Sequence, residues 1–503
     1  MMLRCTLFIA MSLLAEGCAS ANEGPVPLPM QPPSRYLLDT AEPASARLSP
    51  PSESPPPTAQ DAVGPASPAA EGPWWSAFAD PALEALIQEA LLHNHTLRDL
   101  RGLYHENKLV PARPNGPLWP LQVHIPVVVE RASRASAAGP SSGLGVTNND
   151  ASAAVAANYQ LDLFGQLALQ RQSFDDLAAI QGQSAEANAQ TTAAQVAQVW
   201  FEILAQRALL DLIQQQVALN EDLARLVQDR FEVHLTSHLA VLQQAQQLLN
   251  TRAQVPLINA RLALLASELT SLLGRAPSPV ASALVPPDRR LPELPPVASV
   301  GVGAPDDLIK NSPEVRAARL RVGEANHRMA INRATWLPVI SLSGDAGWQT
   351  FDFKHPTTFD GSSAFATWSY GVRLTWPIFD GGQRLIEAKQ LSLTIKRRNM
   401  LYEQAFLEAV RRVQDAHIQE TKQADNVRTL RAEVELGKKV LAEARQLFEQ
   451  GLSDYLAVLT ALGNLSDLER ALIQAQRIHL SYRIQLYRAL GGTWSKATVE
   501  LED

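Results

Sequence analysis

Cysteine and excess positive charge are both scarce in this chain. Only Cys5 and Cys18 occur among its 503 residues, and both lie within the first twenty. Neither a disulfide nor a cysteine-ligated metal can therefore hold the folded body together. The 44 Lys and Arg residues against 51 Asp and Glu give a formal net charge of −7. Without a basic excess the chain lacks the footprint of a nucleic-acid-binding protein, so we expect no nucleic-acid partner.

Long apolar runs and catalytic motifs are also missing. No run of eighteen apolar residues follows the N-terminal segment, so any membrane crossing must be made by strands. No Gly-rich phosphate loop, HExxH or GxSxG element is present. His93 and His95 are two apart on a predicted helix and point to different faces rather than to one metal. We expect no enzyme, no metal and no cofactor.

The N-terminus is predicted to be a signal peptide. MMLR carries one positive charge, and CTLFIAMSLLA is an apolar run of signal-peptide length. The following LAEGC resembles the lipobox of bacterial lipoproteins, which implies acylation of Cys18, and Ala19 then resembles the sorting pattern for the outer membrane. Glu16 departs from the small residue of the lipobox, and the alternative is an ordinary secretory signal cut near Ala19 or Ala21.

Much of the remaining chain consists of two similar copies of one sequence. FEVHLTSHLAVL, starting at residue 231, agrees in seven positions with FEQGLSDYLAVL, which starts 217 residues later. The same shift carries LTSLLGRAP onto LYRALGGTW. Two separate motifs at one offset indicate a tandem repeat of one long unit. The alternative is that both copies are only low-complexity helix rich in Ala, Gln and Leu.

These features predict six segments. They are a signal peptide at 1–17, a tether rich in Pro, Ala and Ser at 18–72, a first repeat at 73–277, a Pro-rich connection at 278–304, a second repeat at 305–492 and a C-terminal tail at 493–503. Pro-rich stretches with few large apolar residues form extended tethers rather than packed domains.

Each repeat is predicted to contain a helix, two strands and then long helices. The first helix begins at Pro81 and runs toward Arg113. LQVHIPVVVE alternates as one strand, AAGPSSGLGVTNND forms a loop, and the second strand runs through Tyr159, Leu161 and Leu163. VISLSGDAGWQTF and SSAFATWSYGVRLTWPIF are the corresponding strands of the second repeat. Long helices are predicted over 166–273, 383–450 and 454–490.

The last predicted strand has one apolar and one polar face. Its apolar positions are Trp368, Tyr370, Val372, Leu374, Trp376 and Ile378, and its polar positions are Ser369, Gly371, Arg373 and Thr375. An aromatic and aliphatic face backed by a polar one is typical of a transmembrane barrel strand, although alternation alone also fits a half-buried strand of a soluble sheet. Four strands cannot close a barrel, because even small membrane barrels need about eight. Strands that enter a membrane must therefore be pooled by several copies of the chain.

Several motifs together resemble the TolC-like outer-membrane factor family, in particular its NodT-type efflux lipoprotein branch. WWSAFADPALEALI resembles the opening of that family, NYQLDLFGQ and LTWPIFDGGQR resemble its two strand-to-helix junctions, and the two repeated stretches resemble its turn signature. The resemblance covers roughly residues 73–492. It implies a mixed α and β fold that is mostly helical, in which a tandem-repeat protomer contributes four strands to a trimeric outer-membrane β-barrel. A long periplasmic α-helical barrel continues that β-barrel.

The resemblance also implies a function and partners. The chain would be the passive outer-membrane channel of a tripartite efflux system of the multidrug-resistance kind, lipid-anchored in the cell outer membrane and extending into the periplasm. Its partners would be two further copies, outer-membrane lipid, a periplasmic adaptor (membrane fusion) protein and an inner-membrane pump of the RND type. The exported substrate stays open among drugs, aromatic acids, metal ions and peptides.

By the same resemblance the repeated stretches are periplasmic turns. Gly451 can take the positive φ that reverses the chain at little cost. His234 occupies the equivalent place in the first copy, and we expect that turn to have a different shape.

The second turn supplies the candidate pore residues. Leu456 is the candidate for an apolar constriction ring. Thr460 and Ala457 stand where relatives carry Asp, so no carboxylate ring is expected at these positions. Asp454 either replaces that ring or caps the following helix, and we favour the cap.

One alternative function fits part of the pattern. A lipid-anchored periplasmic coiled-coil structural or adaptor protein would account for the helices and for Cys18. It would not need two pairs of amphipathic strands at equivalent points of the two repeats, and this feature separates the two hypotheses.

Overall fold

The computed structural model describes most of the two predicted repeats. The described residues are 28–31, 33, 36, 73–111, 119–134, 146–276, 289–294, 303–351 and 364–491. The predicted signal peptide, Cys18 and the C-terminal tail lie outside them. The described residues divide into two compact units. The first contains the described residues of Met1–Pro29, Gly102–Gly182 and Ala317–Glu403, and the second those of Met30–Arg101, Gln183–Arg316 and Gln404–Asp503.

The first unit contains an antiparallel sheet. Its strands are β1 (Leu121–His124), β2 (Val127–Arg134), β3 (Val146–Leu161), β4 (Val339–Phe351) and β5 (Ala364–Thr375). The order is β1-β3-β4-β5, and β2 pairs with β3 beyond the end of β1. Within the described residues β1, β2 and β5 therefore hydrogen-bond on one side only.

The single strand predicted over LQVHIPVVVE is interrupted at Pro126. Both halves keep one register along β3, because Leu121 pairs with Tyr159 and Val127 pairs with Ala153. The carbonyl of Pro126 still accepts a hydrogen bond from the Ala154 amide at 3.2 Å. Proline has no N–H to return, so one bond of the ladder is lost and the strand divides there.

Strand β3 begins earlier than the sequence predicted. Residues 146–150 were expected to belong to a loop, and they are paired with β2 instead. Asn and Asp are poor strand formers, but the backbone hydrogen bonds to β2 outweigh that preference. At the other end β3 stops at Leu161, so Leu163, which was expected in the strand, lies past it.

The two strands of the second repeat are confirmed. Strand β4 has the predicted bounds, and β5 ends at Thr375, so Trp376 and Ile378 lie beyond the predicted strand. Pro377 cannot donate to a ladder, which explains the earlier end. The indole Nε1 of Trp376 donates instead to the carbonyl oxygen of Trp336 at 3.1 Å.

The sheet has two distinct faces. On the apolar face Trp368 and Tyr370 are 73% and 82% exposed, and their rings stack with centroids 5.9 Å apart. The other face carries mainly small and polar side chains, including Asn158, Gln160, Ser341, Ser343, Asp345, Ser369, Gly371 and Arg373. The predicted separation of apolar and polar residues in β5 is confirmed up to Leu374.

The described residues otherwise form mainly α-helix. The helices are α1 (Pro81–His93), α2 (His95–Leu109), α3 (Gln166–Glu232), α4 (His238–Arg252), α5 (Gln254–Leu272), α6 (Asp307–Asn311), α7 (Pro313–Ala334), α8 (Gln383–Glu449) and α9 (Tyr455–Ala489). None of these helices is long and apolar enough to cross a membrane.

Two predicted helices are broken. The first, expected from Pro81 toward Arg113, divides at Asn94, whose Oδ1 accepts from the amides of Thr96 and Leu97 and so caps α2. His93 and His95 therefore lie on separate helices. The second, predicted over 166–273, divides between α4 and α5 at Ala253, because Pro256 has no N–H with which to continue the hydrogen bonds of α4.

Left-handed backbone conformations recur at matched places. Gly165 and Gly382 precede α3 and α8, His234 and Gly451 follow them, and Gly274 and Gly491 follow α5 and α9. All six have positive φ, and each pair is 217 residues apart, the offset of the repeated motifs. Helices α3 and α8 are both 67 residues long.

The second unit is held by an apolar core around a short 3-10 helix, Trp74–Phe78. Trp200, Leu269 and Ile484 are fully buried in this core, and each such side chain contributes about 1.5–3 kcal/mol of burial free energy. The Trp200 indole donates to Asp80 Oδ2 at 3.1 Å, so its one polar atom is satisfied.

Two segments expected to be extended contribute to this unit. Tyr36, within the predicted tether, is only 7% exposed, and burial together with the charge of Asp307 raises the pKa of its phenol. Leu291 and Leu294, in the predicted connection, pack against the apolar core. A few anchoring side chains thus hold stretches whose composition otherwise predicts no packing.

Gly274 and Gly491 should be intolerant of a side chain. A Cβ on Gly274 would lie 2.3 Å from the carbonyl oxygen of His93, and one on Gly491 would lie 2.8 Å from that of Asn311. We expect Gly274→Ala and Gly491→Ala each to destabilise the protein by about 2 kcal/mol or more, because a positive φ alone costs about 1–2 kcal/mol. Thermal unfolding in detergent measures the effect. Gly463→Ala, within α9 and with open space at its Cβ, is the control and should raise stability slightly. Equal unfolding temperatures for Gly491→Ala and the unmodified protein would contradict the close packing.

Candidate functional site at the two helix turns

Both repeated stretches form the same turn. In the first, the amide of His234 donates to the Phe231 carbonyl at 2.9 Å and that of Leu235 to the Arg230 carbonyl at 2.8 Å. In the second, Gly451 donates to Phe448 at 3.0 Å and Leu452 to Leu447 at 2.9 Å. This pair of bonds is the Schellman motif that ends many helices.

The expectation that His234 gives a differently shaped turn is therefore wrong. Its φ of 59° is close to the 74° of Gly451. Histidine is among the residues that tolerate this region better than most, and the two hydrogen bonds offset the steric cost. The tertiary requirement to reverse the chain here outweighs the local preference of the side chain.

Each turn presents exposed leucines at equivalent positions. Leu456, the predicted constriction residue, is 56% exposed, and Leu239 is 63% exposed at the matching place of the first turn. Leu452 and Leu235 form a second matched and exposed pair. Exposed apolar side chains that recur at one level of a chain mark a surface for partners or for a constriction.

The polar candidates differ from expectation at one position. Thr460 is exposed, and its hydroxyl donates to the Leu456 carbonyl at 2.8 Å. Asp454 occupies the N-cap position of α9, but its side chain makes no capping hydrogen bond, so the favoured capping role is wrong. Ser237, at the matching position of the first turn, does accept such a bond from the Ala240 amide. The exposed Asp454 carboxylate is thus left without that partner.

Arg230 joins the two turns through hydrogen bonds. The sequence analysis did not identify this residue. Its guanidinium donates to the backbone carbonyls of Phe448 and Glu449 and lies 4.7 Å from the centre of the Phe448 ring. A cation at this place satisfies carbonyls that a helix end leaves unpaired and interacts favourably with the helix dipole. The second copy has Leu447 in the place of Arg230, so a difference between the copies was the available signal.

A buried polar network also joins the turns. Gln244 is completely buried, and its Nε2 donates to the carbonyl oxygen of Asn220 at 2.7 Å. Its Oε1 accepts from the hydroxyl of Tyr455. Burial raises the pKa of Tyr455 to about 12, so the phenol stays protonated and remains a donor. Periodicity marks such positions only as core, which is why this network was not predicted.

The network sits in a small apolar cluster shared by both turns. Leu223, Val227 and Ala240 from the first turn pack with Phe448, Tyr455, Val458 and Leu462 from the second. Among the residues that the structure describes, no group of three or more His, Cys, Asp or Glu side chains could hold a metal ion. The apolar cluster and the polar network hold the exposed leucines of both turns in fixed positions.

Known proteins of similar sequence are outer membrane components of efflux pumps. The chain is 28% identical over 429 residues to the toluene efflux pump outer membrane protein TtgF of Pseudomonas putida, covering 84% of this chain and 85% of that one. It is 25% identical over 439 residues to the pyoverdine export outer membrane protein OpmQ of Pseudomonas aeruginosa, covering 84% and 87%.

Solved structures of similar fold include outer membrane channels. The outer-membrane channel OprN superposes with a TM-score of 0.73 at 22% identity, covering 84% of this chain and 93% of that one. The open state of the Neisseria gonorrhoeae MtrE outer membrane channel gives a TM-score of 0.69 at 20% identity, covering 94% and 97%. At this identity the likeness establishes the fold alone.

A family model settles the relationship. The model of the outer membrane efflux protein family matches residues 124–275 and 304–492, which together make up well over half of the chain. The matched ranges include strands β2 to β5, the long helices and both turns described above. On this match, this chain belongs to the outer membrane efflux protein family.

Proposed function

We propose that this chain is the outer-membrane channel subunit of a tripartite efflux system, which conducts its substrate passively to the outside. The observation that carries the proposal is the sheet. It exposes a continuous apolar face, and among the residues that the structure describes its outer strands β1, β2 and β5 pair on one side only. An apolar face suits lipid, but unpaired backbone groups in lipid cost several kcal/mol each. The chain satisfies both requirements only by joining other copies.

Three copies form the proposed assembly. Counting β1 and β2 as one interrupted strand, each copy supplies four strands, and three copies supply twelve. With strands about 4.8 Å apart and tilted by about 40°, such a barrel has a radius of about 12 Å. The polar face of each sheet lines the interior and the apolar face meets lipid. The helices of the three copies continue this passage as a periplasmic tunnel.

The proposed partners follow from the same function. A periplasmic adaptor and an inner-membrane pump of the RND type deliver the substrate to the end of the tunnel formed by the helix turns. The relatives named above are described as exporters of toluene and of pyoverdine. A passive conduit receives its substrate from the pump that feeds it.

A lipid anchor on Cys18 is part of the proposal. Acylation would attach the N-terminus to the outer membrane, and the segment rich in Pro, Ala and Ser would link it to the folded units. The buried Tyr36 gives this segment a fixed point eighteen residues after the cysteine.

The entrance of the tunnel is proposed to lie at the second turn. Leu456 forms its apolar constriction, with Thr460 and Asp454 on the neighbouring exposed surface. Arg230 and Tyr455, through their contacts described above, hold the two turns of one copy together and so position the leucine.

The first prediction from this proposal tests the channel and its membrane face. We expect the purified protein to migrate as a trimer and to conduct ions in planar lipid bilayers. Tyr370→Lys should sharply reduce assembled trimer, because a lysine on the lipid face costs about 2–4 kcal/mol near the bilayer centre. Ser369→Lys, the next residue but on the polar face, is the matched control and should assemble normally. A protein that stays monomeric, or equal assembly of both variants, would contradict the proposal.

The second prediction concerns the anchor. Cells grown with labelled palmitate should give a labelled protein, and Cys18→Ser should abolish the label completely. Trimers of the variant should still fractionate with the outer membrane if they are exported, because strands rather than acyl chains provide the main attachment. Release of the variant into the periplasm as a soluble protein would favour a lipid-anchored adaptor instead.

The third prediction concerns the constriction. Leu456→Ser should raise single-channel conductance by about twofold or more, because a polar ring stays hydrated where an apolar one expels water. Leu239→Ser, at the matching position of the first turn, provides the control and should leave conductance unchanged. Equal effects of the two substitutions would show that Leu456 has no special place in the pathway.

A further inference from the structure

Near the end where β5 leads into the helices, the polar face of the sheet carries little charge; Glu130, Arg134 and Asp150, which the register assigns to the same face, lie toward its opposite end. Among the side chains that the structure describes on that face, Asp345 and Arg373 are the two with a formal charge at neutral pH. The surrounding positions are mostly Ser, Ala, Asn, Gln and Gly. Isolated charges on a neutral surface act on passing ions more strongly than charges within mixed pairs, because no neighbour cancels them.

Arg373 is the more available of the two charges. It lies on the outer strand β5 opposite Ser341, its side chain is exposed, and it forms no ion pair with any residue that the structure describes. Gly371, two residues away on the same face, has open space where a Cβ would be. The neighbours of Arg373 on this face, Ser341 and Gly371, are therefore small.

Asp345 does not neutralise Arg373. Its carboxylate is half-buried and accepts a hydrogen bond from the hydroxyl of Ser369, its partner on β5. Ser369 and Arg373 are four residues apart, which is about 13 Å along a strand. Solvent-exposed charges are largely screened beyond about 8 Å at physiological salt, so the two act separately.

We infer that Arg373 forms an anion-attracting collar at the end of the barrel interior where β5 leads into the helices. The inference rests on the proposed trimer, in which three copies place three guanidinium groups at one level of the passage. Rings of arginine favour anions, and arginine binds carboxylates and phosphates through two parallel hydrogen bonds. Small organic anions are therefore the class of substrate that this collar assists.

The width of the passage sets the size of the effect. In a barrel of about 12 Å radius an arginine side chain brings its charge to within roughly 6–8 Å of the axis. That distance is close to the screening length at about 0.1 M salt. The collar should therefore bias permeation by about twofold, and the bias should shrink as salt concentration rises.

Ion selectivity in planar bilayers tests the collar. The reversal potential of full-length trimers under a KCl gradient gives the chloride-to-potassium permeability ratio. Arg373→Gln should lower that ratio by about twofold at about 0.1 M salt, and Arg373→Lys, which keeps the charge, should retain most of it. Unchanged reversal potential in Arg373→Gln would overturn the inference.

A second variant tests the collar even if Arg373→Gln fails to fold. Arg373→Cys places a thiol in a body that otherwise has no cysteine after Cys18. After assembly, a cationic thiol reagent should restore the preference for chloride, and an anionic reagent should reverse it. The unsubstituted protein treated with both reagents is the control. Equal reversal potentials with the two reagents overturn the collar alone, whereas a wild-type protein that does not conduct overturns the proposed channel and the collar with it.

Discussion

The unpaired sides of the outer strands are the constraint on which the rest of this structure depends. Within the described part of the chain, strands β1, β2 and β5 each bond to one neighbour, and the apolar face between them is open, with Trp368, Tyr370 and Val372 more than two-thirds exposed. Water tolerates the unpaired amides but not the apolar face, and lipid tolerates the face but not the amides. Neither medium suits one chain alone. The proposed closed barrel satisfies both demands, and the tandem arrangement of two strand pairs supplies the strands for it.

The helix turns show how polar contacts position an apolar surface. Two Schellman turns end α3 and α8, and each is followed by exposed leucines at matching positions. Apolar packing between the turns is not directional, so it alone would allow the leucines to shift. Directional hydrogen bonds are added at two points: Arg230 donates to a carbonyl at the end of α8, and the hydroxyl of Tyr455 donates to Gln244. Both contacts join the first turn to the second. Without them, only apolar packing between the two similar turns would hold them together.

Elements with strong periodicity and few breaks were predictable from the sequence. Strand β4 and helices α8 and α9 lie within a residue of their predicted bounds. The errors occurred where one side chain competes with a longer pattern. Asn94 divides a helix by capping the next one, and Pro126 divides a strand by removing one donor. Residues 146–150 join β3 because pairing with β2 outweighs their weak strand preference, which no local pattern reveals.

The sequence by itself determined the repeat offset, the alternating faces of the strands, the long helices and the positions of both turns, because each follows from local periodicity or from copied residues. Only the tertiary structure decided that His234 adopts the same turn as Gly451, that Asp454 leaves its helix uncapped, and that Arg230, Gln244 and Tyr455 join the turns. The physical reason is distance along the chain. Tyr455 and Gln244 are 211 residues apart, and a contact of that kind depends on how whole helices pack, not on any pattern within one of them.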